Sequence, residues 1–215
     1  QELNLSQQQK KKIQSYLFEN IREENRYYKY DFLYDNCTTR LRDIIFSGKE
    51  IEKSSLPQIV ESGQTFRDHL HVYLNRAEMP WTTLGIDLLL GIGADIPMDY
   101  FESMFLPDFL FKGVAIANNA TKKLVSNEIV QVKDMQMVPI SQPFYVTPLF
   151  IISIFSLLLL LFSFRNKKSL AALTISDQVL FIVTGLLGMF LLFMWFGTDH
   201  ESFSKNVNII WAFPL

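Results

Sequence analysis

Cysteine is nearly absent: Cys37 is the single one in 215 residues. A lone thiol has no partner for an internal disulfide, which excludes a cross-linked scaffold and leaves packing or chemistry as its uses. Histidine is scarce too, limited to His69, His71 and His200. Their spacing offers no paired-ligand pattern, so a metal site is not expected. Nor is a cofactor, because the glycines of the Gly85-to-Gly93 stretch lack the spacing and strand–helix setting of a dinucleotide fingerprint. Neither sign of charge is in surplus. The 20 Lys and Arg against 22 Asp and Glu leave a net −2, without the basic footprint of a nucleic-acid-binding protein. The chain opens at Gln1 with neither Met nor a signal peptide, which suits a processed or partial chain.

Charge is missing altogether from two long runs, about 144–164 and 178–198. Each has the roughly 20 residues a bilayer-crossing helix needs. Arg165, Lys167 and Lys168 sit between them, so the connecting loop is expected to face the cytoplasm. Residues 1–138 then form an extracytoplasmic domain carrying Cys37. Residues 139–215 form a membrane hairpin with an extracytoplasmic tail. A buried core hairpin in a water-soluble protein fits this charge pattern poorly.

Ahead of the membrane part the periodicity is mainly helical. Ser6 and Gln9 form a capping-box pair before a helix over about Gln7 to Asn25, and Lys10 to Lys12 suit its solvated side. Tyr27, Tyr28, Tyr30 and Tyr34 suit a core or a pocket wall. Phe32 and its neighbours alternate as in a short buried strand, and Leu41, Ile44 and Ile45 follow at helical spacing. That second helix is expected to run to about Phe46 and stop at Gly48, before a loop over 49–57. Phe66, Leu70, Tyr73, Leu74 and Ala77 mark another helix, with His69 at the edge of its apolar stripe and His71 on its solvated side. Pro80, Pro97-to-Asp99 and Pro107 open further elements. Asp87 and Asp95 suit caps or turns rather than metal ligands. The Phe-rich stretch 100–111 fits either a core or a bilayer surface. A hairpin with its turn near Ser126 and Asn127 is expected over 122–137, followed by a connector stiffened by Pro139, Pro143 and Pro148.

Cys37 therefore falls where an extended segment turns into a helix. Asn36 and Thr38 are both good N-cap types. First-turn N–H groups and the helix dipole favour a thiolate, and those N–H groups suit an oxyanion beside the sulfur. The competing reading is a small buried hydrophobe. His69 and His200 are the base candidates, each with a plain alternative in packing or interface decoration.

Tyr28 to Asp43 follows the pattern Tyr-x-Tyr-x-Phe-x-x-x-Asn-Cys-Thr-Thr-Arg-x-Arg-Asp. It resembles the bacterial envelope family termed domain of unknown function 4105. The likeness continues through Phe66-Arg67, Pro80-Trp81, Gly85-Ile86-Asp87, Leu90-Gly91, Phe105-Leu106-Pro107 and the Asp199-His200…Asn206-x-Asn208…Trp211 segment. That family is similar to NlpC-type peptidases and lecithin:retinol acyltransferase. The resemblance implies an α+β, mostly helical, C-terminal part of a permuted papain-like thiol-enzyme domain, followed by two transmembrane helices. It implies Cys37 as nucleophile, with Asn36 beside it as support for the oxyanion; Thr38 is the expected helix cap in the oxyanion region, and Arg40, Tyr34 and Trp81 are the expected substrate contacts. In that arrangement the catalytic His precedes the Cys helix, so the base is expected upstream of Gln1 or on a companion chain. The implied activity is N-acylation of the diacylglyceryl-cysteine of lipoproteins, with a membrane phospholipid as acyl donor, at the periplasmic face of the cytoplasmic membrane. A cysteine amidase or peptidase acting on cell-wall peptides, or a non-enzymatic subunit binding lipid or a partner through the Phe-rich stretch, are the rival expectations.

Overall fold

The computed structural model describes residues 1–47, 63–119, 122–129, 142–166 and 168–212. The chain is mostly helical and divides into two compact units, Gln1–His69 with Asp95–Gln136, and Leu70–Ala94 with Met137–Leu215.

In the first unit α1 spans Gln7–Asn20 and is opened by the Ser6–Gln9 capping box. It stops earlier than the expected Asn25. The Ile21 N–H caps the carbonyls of Leu17 and Glu19, and the Asn25 side chain turns back onto Glu19. The segment before Cys37 is a tight turn rather than a strand. The Asp31 carboxylate accepts the N–H groups of Leu33 and Tyr34, and the Asp31 and Asp35 backbones exchange hydrogen bonds of 3.0 and 3.2 Å. The turn feeds α2, Cys37–Ile45, whose C-cap is Phe46; Gly48 and the 49–57 loop lie outside the described residues. Helix α3, Phe66–Arg76, begins in this unit. Asp99 caps the short α5, Tyr100–Ser103, and Pro107 opens α6, Pro107–Ile116.

The strands differ from expectation. The hairpin lies earlier, with β2 (Asn118–Asn119) paired to β3 (Lys122–Lys123). β4 (Val125–Asn127) pairs antiparallel with β1 (Glu2–Leu3) from the far end of the sequence, so Ser126 and Asn127 lie in a strand rather than a turn. Residues 130–137 lie outside the described part. Phe46, Met104, Leu110, Val114, Ala117 and Leu124 form the core of this unit, with Leu3, Leu5, Ile45 and Phe101 packed against it. Met104 and Phe105 are fully buried, so the Phe-rich stretch belongs chiefly to the core.

In the second unit α4 is Pro80–Leu89, with Pro80 at its first turn. Its C-terminal carbonyls are capped from far along the chain. The Asn206 amide donates to Leu88 and Leu89, and the Asn208 amide to Asp87 and Leu88. These groups have no partner inside their own helix, so a remote cap satisfies them. Two long apolar helices follow: α7, Pro148–Arg165, and α8, Leu170–Leu192, continued by a π turn to Gly197. α8 starts eight residues before the expected 178, because a helix accommodates Asp177 near its start even though the charge-free run does not include it. Their apolar side chains stay outward: 6% of the Pro148–Arg165 window and 17% of the Leu173–Gly197 window is buried. Surface that apolar is unsustainable in water and matches hydrocarbon. A short α9, Ile209–Ala212, closes the described chain.

Candidate active site around Cys37

Asn36 organises the start of α2. It is 6% exposed and its side chain uses every hydrogen-bonding group it has. Oδ1 accepts the N–H of Thr38 at 2.8 Å and of Thr39 at 2.9 Å. Nδ2 donates to the carbonyls of Phe32 at 2.9 Å and Phe105 at 3.2 Å. The Thr39 hydroxyl completes the box by accepting the Asn36 N–H at 2.8 Å. Asn36 is therefore the cap, and through Phe105 it ties α2 to the segment that begins α6. Its amide has no donor left for a substrate, and the Thr38 N–H is likewise taken. Of the first-turn donors the Cys37 N–H alone is not hydrogen-bonded among the described residues, which narrows the expected cluster of oxyanion donors to one.

Cys37 occupies the first position of α2 and is exposed. It lines a groove of about 760 Å³ with Thr38, Leu41, Ile44 and Ile45 of the same helix, Ile13 and Leu17 of α1, and Leu110, Phe111 and Val114 of α6. Leu17, Leu41 and Phe111 are each close to half exposed, at 48%, 51% and 47%. Large aliphatic and aromatic side chains facing one concavity, with a nucleophile type in its wall, describe a site for an apolar ligand.

One turn along α2 Arg40 is held by a two-pronged ion pair with Asp35, at 2.7 and 2.8 Å, and lies 3.5 Å over the Tyr28 ring. The Asp35 hydrogen bonds raise the Arg40 guanidinium above its ordinary value. The Tyr30 phenol is raised too, first by burial, then by neighbouring Cys37, Tyr28 and Asp31. Tyr34 is exposed and meets Phe66 edge-on at 5.4 Å.

The base candidates fare differently. His69 is 1% exposed, stacked 4.1 Å from Phe109, with Nε2 paired to Gln64 at 3.0 Å and Nδ1 without a partner. Burial lowers its pKa. It is a neutral packing histidine, with no hydrogen bond to Cys37. His200 lies in the second unit, edge-on to Phe203. Trp81 is also in that unit, where its indole N–H donates to the Val146 carbonyl at 2.7 Å just ahead of α7. His71, expected to be solvated, pairs with Asp87 at 2.8 Å, and Asp95 pairs with Arg67. Among the described residues no three His, Cys, Asp or Glu side chains converge as metal ligands would.

One unit thus gathers Cys37, Asn36, Thr38, Arg40 and Tyr34, with His69 set in its core. Sequence reasoning grouped Tyr30 with the neighbouring tyrosines as core or pocket wall, and it missed the groove. The groove had a signal: positions 37, 41, 44 and 45 form one stripe at helical spacing, matched by Ile13 and Leu17.

These features define a membrane-anchored protein with an exposed thiol in its extramembrane unit. Its family follows from two matches: residues 1–74 match the Lnb N-terminal periplasmic domain and residues 140–215 the Lnb transmembrane domain. With both domains on one chain, the protein belongs to the Lnb family of envelope proteins, and its N-terminal part is periplasmic. No curated protein and no solved structure matches the chain.

Proposed function

We propose that the protein is a thiol acyltransferase of the cytoplasmic membrane that N-acylates the diacylglyceryl-cysteine of lipoproteins, using a phospholipid as donor. The observation that carries this reading is the apolar groove with Cys37 in its wall. An acyl chain suits such a lining, whereas a cell-wall peptide would call for polar contacts. Within the Phe-rich stretch Met104 and Phe105 are buried, while Leu110 and Phe111 line the same groove as Cys37, so its exposed apolar part belongs to this site.

The Cys37 thiolate attacks the ester carbonyl carbon of the donor. A C–S bond forms, the C–O bond breaks, and the departing lysophospholipid oxygen takes up the proton that the base removed from the thiol. The neutral α-amine of the acceptor then attacks the thioester. A C–N bond forms, the C–S bond breaks, and the amine's surplus proton returns to the sulfur by way of the base. The Cys37 N–H supports the oxyanion in both steps. Asn36 and Thr39 set the helix start that presents the thiol, and the Asp35-held Arg40 and Tyr34 serve as substrate contacts. The reading calls for a histidine as the base, the group a permuted papain-like arrangement would supply. Membrane anchoring confines the thiol to the surface where both lipid substrates reside, which favours productive encounter.

The test expresses the full protein, or its Cys37→Ser variant, in cells stripped of other lipoprotein N-acylation, and reads lipoprotein N-termini by mass spectrometry. Triacylated N-termini are expected with the wild type and only diacylated ones with Cys37→Ser. Triacylation persisting in Cys37→Ser cells overturns the mechanism. Free fatty acid released without N-acylation would instead mark a hydrolase.

A further inference from the structure

The groove has a direction. Along α2 its lining runs from Cys37, the first residue of the helix, through Leu41 to Ile44 and Ile45 at its end. At 1.5 Å per residue that stripe is about 12 Å long. The thiol stands at one end of it. Leu17 and Ile13 of α1 line it alongside, and Ile13 and Lys12 meet its far end at Ile44, Ile45 and Ser47. There Leu5, Ile13, Ile44 and Ile45 also line a residual pocket of about 10 Å³, and the Lys12 Nζ donates to the Ser47 carbonyl at 2.7 Å across it. α6 forms the remaining side. It starts next to Phe105, whose carbonyl Asn36 holds, and by Val114 it has joined the core cluster that contains Phe46.

We propose that this groove receives the acyl chain carried on Cys37, and that its far end at Ile44, Ile45 and Leu5, spanned by the Lys12–Ser47 hydrogen bond, gauges chain length. The inference rests on the thiol-acyltransferase reading. A chain joined to Cys37 through its carboxyl carbon has an apolar path in one direction, along α2, and each methylene that follows it leaves water. A chain longer than the stripe meets the Lys12–Ser47 closure and must double back or project into solvent. The position of Ile44 makes it the adjustable element: it is half-buried, lines both the groove and the end pocket, and, unlike Ile45, is not packed against the core cluster.

The test supplies the full-length protein in detergent micelles, without acceptor, with phosphatidylethanolamines that differ only in acyl length. Intact-protein mass spectrometry reads the adduct on Cys37. Ile44→Trp shortens the groove, and should lower long-chain adduct by about tenfold or more while sparing the short-chain adduct, since displacing a pair of methylenes into water suffices for that factor. Ile44→Ala lengthens it and should move the preferred donor toward longer chains. Equal loss for short and long donors in Ile44→Trp, with no change of preference in Ile44→Ala, overturns the gauge while leaving the thiol reading intact. Absence of adduct with every donor in the wild type overturns the thiol reading itself, and the gauge with it. Thermal melting of both variants, together with iodoacetamide capture of Cys37, separates a misfolded variant from a blocked groove.

Discussion

Asn36 replaces a carboxylate or hydroxyl cap with a side chain that works in two directions, and the cost of losing it follows from that. Asn36→Ala strips the cap from Thr38 and Thr39 and leaves the buried Phe105 carbonyl without its donor. A lost cap costs about 1 kcal/mol and an orphaned buried group about 1–3 kcal/mol, so a loss of about 2–4 kcal/mol is expected, read as a lower thermal midpoint in detergent. Asn36→Ser restores the cap without the brace and should recover about 1 kcal/mol of it. Recovery to wild-type stability by Ser would show that the Phe105 tie contributes nothing. His69 carries a prediction of a different kind. Its folded-state pKa lies below the ordinary value because burial disfavours the imidazolium, with Asp68 opposing weakly. The unfolded chain therefore takes up the proton first as pH falls. The stability held by neutral His69 is complete above the unfolded pKa of about 6.5 and declines as pH drops below it. His69→Phe keeps the stacking on Phe109 and removes the titration, so the difference in melting temperature between about pH 7 and about pH 5 should shrink. An unchanged difference would place the acid sensitivity elsewhere.

At the level of elements, the close approach at Gly91 makes the sharpest prediction. The Gly91 N–H donates to Ser202 at 2.9 Å, and a Cβ at Gly91 would fall on the Ser204 carbonyl oxygen and against the Phe203 backbone. No rotamer relieves a clash with backbone, so Gly91→Ala should destabilise by at least the roughly 1–3 kcal/mol typical of overpacking. It should also loosen the 202–208 segment that caps α4, and amide exchange at Leu88 to Leu90 would report it. Protection there equal to wild type would rule out the coupling. What sequence could and could not foresee divides along the same line. Local signals carried well: the Ser6–Gln9 box, Pro80 and Pro107 at helix starts, the Asp99 cap and the start of α2 at Cys37 all depend on residues a few positions apart. Remote partnerships did not carry. The α4 cap comes from Asn206 and Asn208, β4 pairs with Glu2–Leu3, and His71 finds Asp87 on another helix. The turn at Asp31 was misjudged as a strand because alternation of Phe32 with its neighbours does not reveal a side chain hydrogen-bonding its own backbone. For the site, the thiol at the helix start and its Asn36 cap were legible in a single stretch. The groove was not, since three stripes on three helices make a cavity only after packing.

For the whole molecule, function depends on which side of the membrane each part occupies. α7 and α8 present apolar side chains outward along their length, and Arg165 and Lys168 stand at the turn that joins them, with Lys167 between them in sequence. Positive residues in a short loop favour the cytoplasmic side, because translocating them opposes the membrane potential and the lipid surface charge. The periplasmic assignment of residues 1–74 puts Cys37 on the other side. With α7 and α8 as the two crossings among the described residues, the segment after Gly197 is expected on that side as well. A membrane-impermeant maleimide should therefore label Cys37 in cells whose outer membrane alone has been permeabilised. In a Cys37→Ser background, Ser169→Cys places a single thiol in the loop, where Ser169 is exposed, and should be labelled only after lysis. Replacing Arg165, Lys167 and Lys168 with Glu should raise the fraction of Ser169→Cys labelled from outside, because it removes the charge that fixes the orientation. Equal labelling of both positions before lysis would mean that the hairpin does not cross the bilayer, and the thiol would then lose its assured place beside the lipids on which the proposed chemistry depends.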